Sequence, residues 1–270
     1  MRLVIEPTRG WIPLRFDELW AYRELVYFLA WRDVKVRYKQ TALGVAWAVL
    51  QPFMTMVVFS IFFGALAKMP SDGVPYPLFT FAALVPWTFF SNALSSAAGS
   101  LVNNATLISR VYFPRLAVPL AGVAAAAVDL ACALAVFAVI AVYFSHAPGH
   151  VVLLPLLVGL AGVVALGAGI WLAALNARFR DVRYVVPYLL QFWLFVTPVA
   201  YPTSLVPVPW RTLYALNPMV GVVDGFRSVL LGQPSVPIEH IAWAAIVAVA
   251  MLGGGVVYFR RVERTLADVV

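Results

Sequence analysis

Long uncharged stretches separated by short charged ones set the rhythm of this chain. Ala42–Ala67 runs 26 residues without a charge and Leu78–Val102 runs 25. Leu116–Ser145 is apolar except for Asp129; Val151–Ala177 and Ile241–Phe259 are uncharged, and Tyr184–Tyr201 is short and apolar. A helix needs about 20 mostly apolar residues to cross a bilayer. The pattern therefore predicts an all-α membrane protein with six transmembrane helices. Residues 1–41 form a mixed, charged N-terminal segment, and 42–270 form a single six-span domain. The start of the chain does not read as a signal peptide, because no short apolar core precedes a cleavage site.

Two further segments are structured but do not span. In residues 10–40, Leu19, Tyr22, Leu25, Val26 and Leu29 make an aliphatic arc, and Trp20, Tyr27 and Trp31 make a second stripe beside Arg23 and Glu24. This fits an amphipathic helix at the membrane interface. Residues 198–237 hold seven of the chain's 19 prolines yet stay apolar. Each internal proline breaks a helical turn, so the segment from about 202 to 237 is expected to form re-entrant helices between spans five and six. Irregular backbone at membrane depth must be buried in protein or face a watery cavity. Between spans two and three, Asn103 or Asn104 is placed to cap a short helix, with Pro114 as its stop.

Composition agrees. The chain is 63% hydrophobic and 11% charged, against roughly 25% charged in soluble domains. One cysteine, Cys132, excludes a disulfide framework. The net charge of +7 takes its meaning from its location, which ties it to the membrane rather than to nucleic acid. Eight Lys and Arg precede the first span; Arg110 and Arg115, then Arg178, Arg180 and Arg183, then Arg260, Arg261 and Arg264 follow on the same side of a six-span layout. Only Lys68, Arg211 and Arg227 fall on the other side. Sixteen against three places both termini in the cytoplasm.

Catalytic signatures are missing. No G-x-x-x-x-G-K-[ST] loop is present to cradle a nucleotide, nor H-E-x-x-H, paired cysteines or G-x-S-x-G. Asp129 is the one ionisable group deep in a span, which makes it a functional candidate, but no basic residue in another span offers itself as partner. Two helical stripes combine aromatic rings with an amide: Trp47, Gln51, Met54, Val58 and Phe62 in span one, and Tyr184, Tyr188, Gln191 and Phe195 in span five. A glutamine gains nothing from lipid and needs a partner or water. The stripes fit either helix packing with interfacial anchoring or the lining of a conduit for sugars, whose C–H faces stack on rings.

Together these segments resemble the permease subunit of type-2 ABC exporters, in the branch that exports polysaccharides such as O-antigen, capsule and teichoic acid. The resemblance rests on Arg37-Tyr38-Lys39-Gln40-Thr41-Ala42-Leu43-Gly44 leading to Trp47 and Gln51-Pro52; on Leu107 through Phe113-Pro114-Arg115 with Pro119; on Asn176-Ala177-Arg178-Phe179-Arg180-Asp181-Val182; on Phe195-Val196-Thr197-Pro198-Val199 with Tyr201; and on Asn217-Pro218. It implies a homodimer in the cytoplasmic (inner) membrane, paired with two copies of a cytoplasmic ATPase that binds ATP and magnesium, so that the chain itself needs no cofactor. Trp20, Arg23, Asn104, Leu107, Ile108, Arg110, Tyr112 and Phe113 would meet the ATPase. The two stripes and Tyr201 would line the path of a lipid-linked glycan, and Arg37 and Lys39 would attract its pyrophosphate. A permease for a drug or other small hydrophobic substrate would share the fold.

The charge asymmetry has a direct test. A cysteine replacing Arg180 should react with a membrane-permeant maleimide and resist an impermeant one added to intact spheroplasts. Labelling from outside would refute the six-span layout.

Overall fold

The computed structural model describes residues 16–39 and 46–263. The start of the first span at Ala42, the boundary at 41/42, and Arg264 lie outside the described residues. In chain order the helices are α1 (Phe16–Ala21), α2 (Arg23–Lys39), α3 (Ala46–Phe59), α4 (Tyr76–Asn103), α5 (Ala105–Arg110), α6 (Ala117–Tyr143), α7 (Leu154–Arg178), α8 (Val182–Val196), α9 (Val208–Ala215), α10 (Pro218–Leu230) and α11 (Ile238–Glu263). A π-helical stretch, Ser60–Leu66, prolongs α3. Proline occupies the first or second position of α4, α7, α9 and α10, where its missing N–H costs nothing.

Five helices are long and apolar enough to cross a bilayer: α3 with its π extension, α4, α6, α7 with the short turn before it, and α11. The sixth, α8, has 15 residues, or about 22 Å at 1.5 Å per residue, short of a hydrocarbon core of about 30 Å. Arg115, at the start of α6, donates to the carbonyl of Glu263 at the end of α11 (2.8 Å), so α11 finishes at the end where α5 lies.

The core is built around α4, which is buried on most of its surface, whereas α3 is only 11% buried. α4 packs on α6, α7, α10, α3 and α8, and α11 packs on α7 and α10. Lipid chains are as apolar as leucine, so spans associate by close packing and hydrogen bonds. Small residues allow that closeness. A Cβ added at Gly169 of α7 would come within 2.5 Å of the Ala97 methyl of α4, and one at Gly221 of α10 would collide with the His240 carbonyl. Asn176 of α7 donates to the Ala98 carbonyl (3.0 Å).

The N-terminal helices follow the expected arcs. Leu29 is buried with Phe113, Ala117, Val118 and Ala121, and Leu19, Tyr22, Leu25 and Val26 pack on the same cluster. Trp20, Tyr27 and Trp31 face outward. The aliphatic arc is thus covered by α6, while the aromatic stripe is left for interfacial lipid or a partner.

Gly221→Val should lower stability by about 1–3 kcal/mol, the usual cost of overpacking, read as a fall in the thermal midpoint in detergent. Gly159→Ala, whose added methyl meets nothing within 4 Å, should leave the midpoint level or raise it.

Candidate functional site

Both aromatic–amide stripes face away from the core of their own subunit. Trp47, Gln51, Met54, Val58 and Phe62 on α3 are exposed, as are Tyr184, Tyr188, Gln191 and Phe195 on α8. Phe192, beside Gln191, is 73% exposed. The inward side of α8 explains the split: Val186 is buried against the core, and the Trp193 ring meets Phe90 of α4 edge-on at 4.9 Å. α3 and α8 each pack on α4, and each turns an aromatic face outward. Tyr201 behaves differently. Its hydroxyl bonds the Phe195 carbonyl and the Tyr214 hydroxyl, each at 3.0 Å, so it braces the turn after α8.

Asp129 does have a basic partner, and it comes from α2 rather than from a span. Arg37 forms an ion pair with Asp129, Tyr38 donates its hydroxyl to the same carboxylate, and Asn92 of α4 donates to it at 3.3 Å. Arg37 also reaches Ser96 at 3.4 Å. Burial, and then the bond to Asp129, push the Tyr38 hydroxyl above the usual tyrosine range, so it stays a donor. The sequence reading missed this pairing because it looked for a base within another span. Arg37, expected at the membrane edge, is thereby tied down; Lys39 stays exposed on α2.

At the α5 end, the expected docking residues divide. Trp20, Arg23, Arg110 and Tyr112 are exposed, Leu107 and Ile108 are half-buried, and Asn104 and Phe113 are buried. Asn104 sits at the N-terminus of α5 but does not cap it. Its amide donates back to the Ser100 carbonyl (2.8 Å) and its oxygen accepts from Arg32 of α2 (2.7 Å). Nor does Pro114 end α5 directly: the helix stops at Arg110 and Val111 is already extended.

At the opposite end the proline-rich segment forms α9 and α10. Asn217 caps α10 through Met219 N–H (3.1 Å), accepts from Trp193 Nε1 (2.8 Å) and donates to the Val196 carbonyl (3.3 Å). Arg227, counted from sequence with the basic residues opposite the cytoplasmic side, is 3% exposed inside α10. Its guanidinium lies 3.7 Å from the Phe79 ring centroid and donates to the carbonyls of Val199 (2.7 Å) and Tyr201 (3.2 Å). Asp224, one turn away, accepts from Thr203 and pairs with His240, at 2.8 and 2.9 Å. Two opposite charges, Asp224 and Arg227, in a mostly apolar helix were the signal available for Arg227.

The family model described as "ABC-2 type transporter" matches residues 24–231. The chain is 30% identical to the O-antigen export system permease protein RfbA of Myxococcus xanthus over 239 residues, covering 87% of this chain and 91% of that protein. It is 22% identical to the protein of the same name from Klebsiella pneumoniae (92% and 95% covered). It is 24% identical to the polysialic acid transport protein KpsM of Escherichia coli (88% and 93%).

Removing one member of a buried pair leaves an uncompensated charge, which costs about 3–5 kcal/mol when both are fully buried. The Arg37 side chain is 35% exposed, so Asp129→Leu should cost about 2–3 kcal/mol in chemical unfolding. The double variant with Arg37→Leu should cost less than the two single changes together. Strict additivity would show that the pair is not coupled.

Proposed function

The chain belongs to the ABC-2 type transporter family, and on that premise we propose that it is the transmembrane subunit of an ATP-driven exporter of lipid-linked polysaccharide, working in the cytoplasmic membrane. Two of the relatives carry O-antigen export in their names and one polysialic acid transport, and all are matched over nearly their whole length. These names favour a glycan over a drug or other small hydrophobic cargo.

The observation that carries the reading is the pair of outward aromatic–amide walls on α3 and α8. Rings stack on the apolar faces of sugars, and Gln51 and Gln191 supply hydrogen bonds that lipid cannot use. One subunit supplies two walls of a channel; a second copy, facing it, closes the enclosure. In this homodimer the glycan moves between α3 and α8, and its lipid carrier enters from the side. Lys39, with the exposed edge of Arg37, draws the carrier's pyrophosphate to the cytoplasmic entrance.

Energy comes from outside the chain. Two ATPase subunits, holding ATP and magnesium, dock on α5 with Arg110 and Tyr112, and on α1–α2 with Trp20 and Arg23. Their closure pushes α5 and α2. Arg32 joins α2 to Asn104 at the α4–α5 corner, and Arg37 joins α2 to Asp129 of α6. A push at the cytoplasmic end therefore reaches α4 and α6 directly, and α3 and α8 move relative to them. Both termini lie on the cytoplasmic side.

Tyr188→Leu combined with Gln191→Leu removes a ring and an amide from the wall, each worth about 0.5–1 kcal/mol to a passing sugar. Surface glycan should fall about tenfold at unchanged permease abundance, while Tyr143→Leu, on the exposed side of α6, should export normally. Undiminished export by the double variant would count against a sugar-lined path.

A further inference from the structure

The turn after α8 leaves three successive carbonyls outside any helix, and two side chains meet them. Arg227 of α10 donates to Val199 (2.7 Å) and Tyr201 (3.2 Å). The carbonyl between them, Ala200, accepts from the Tyr76 hydroxyl at 2.6 Å. Tyr76 is the first residue of α4. Its ring centroid lies 6.1 Å from that of Phe79, the ring that carries the Arg227 guanidinium on its face. Both donors to the turn therefore rest on the same end of α4.

The Tyr76 ring also seats the end of α3. Gly64 lies in the π-helical stretch Ser60–Leu66. A Cβ added there would come within 2.9 Å of Cγ and Cδ1 of the Tyr76 ring and 3.3 Å of its Cβ. Only glycine lets the ring lie this close to the α3 backbone. Pro75 and Pro77 flank Tyr76 and restrict its main chain, so the ring has little freedom to withdraw. One half-buried side chain thus touches α3 through its ring and the turn behind α8 through its hydroxyl.

We infer that Tyr76 is a positioning residue that couples the two aromatic walls at the end opposite α5. This rests on the reading of α3 and α8 as the cargo path. The ring fixes where the π-helical end of α3 lies, and the hydroxyl fixes where the chain leaves α8. The spacing of the walls at this end is then set by a single tyrosine on α4, and displacement of one wall is passed to the other through it.

The test measures spin–spin distances on the full chain in lipid nanodiscs. Labels go on Ile61→Cys in α3's extension and Leu205→Cys beyond the turn, both exposed positions, in a Cys132→Ala background. Labelled subunits are diluted with unlabelled ones, so that only distances within one subunit are read. With Tyr76 intact, one distance should dominate. Tyr76→Phe keeps the ring over Gly64 but removes the donor, and should raise the population of a second distance about fivefold, the worth of one hydrogen bond. Gly64→Ala pushes the ring from the α3 side and should populate the same second distance. The two changes together should add little to either alone. Gly169→Ala, whose methyl collides with Ala97 instead, should lower the thermal midpoint and keep the single distance. If Gly64→Ala does not fold, Tyr76→Phe decides alone. An unchanged distribution in Tyr76→Phe, or the same second distance in Gly169→Ala, would overturn the inference. No cargo enters the measurement, so that failure would leave the export reading standing.

Discussion

A polypeptide inside a bilayer has no water to satisfy its backbone, so every carbonyl that leaves a helix at depth needs a donor from the protein itself. That constraint governs the half of the molecule farthest from α5. α8 stops after 15 residues, too soon to cross, and the chain then turns. The carbonyl of Val196 is met by Asn217, and those of Val199 and Tyr201 by Arg227. The Arg227 charge has no carboxylate in direct contact among the described residues; carbonyl dipoles and the Phe79 ring stand in for water. Pro198 and Pro202 forbid α8 from running on as a helix, and the side chains of Asn217 and Arg227 satisfy the carbonyls that the turn leaves open.

The consequence reaches the candidate conduit. Because the turn is held by α10, which is almost wholly buried, α8 needs only one side for attachment. Val186 and Trp193 provide it, leaving the rings of Tyr184, Tyr188, Phe192 and Phe195 exposed. α3 is the counterpart, with little of its surface buried and a π-helical stretch at its end; such stretches often mark functional places in helices. The elements that bear the two aromatic faces are therefore attached to the core on one side only.

The other end is organised for stiffness. Asp129 gathers α2, α4 and α6 through Arg37, Tyr38 and Asn92, and Asn104 joins α2 to the α4–α5 corner. Small residues bring α4 against α7, and α10 against α11, at near-contact of their backbones. This end is therefore a tied unit rather than a set of independent helices, while the loosely held α3 and α8 lie beside it.

Much of this was legible from the order of residues alone. Length and apolarity of the runs determined the spans, because a bilayer's thickness is fixed. The one-sided distribution of arginines supplied an expectation for their direction, and the prolines of 198–237 located the break in the helical pattern. The face of α2 that Leu29 occupies, and the stripes of α3 and α8, followed from helical periodicity. What the order of residues did not contain was which polar groups meet. Asp129 and Arg37 are 92 positions apart, Arg227 and Phe79 are 148 apart, and no local period links such pairs. Periodicity says which residues share a face of one helix, but only the packing of that face against another helix decides whether a charge such as Arg227 stays at the surface or becomes the buried donor that lets the chain turn.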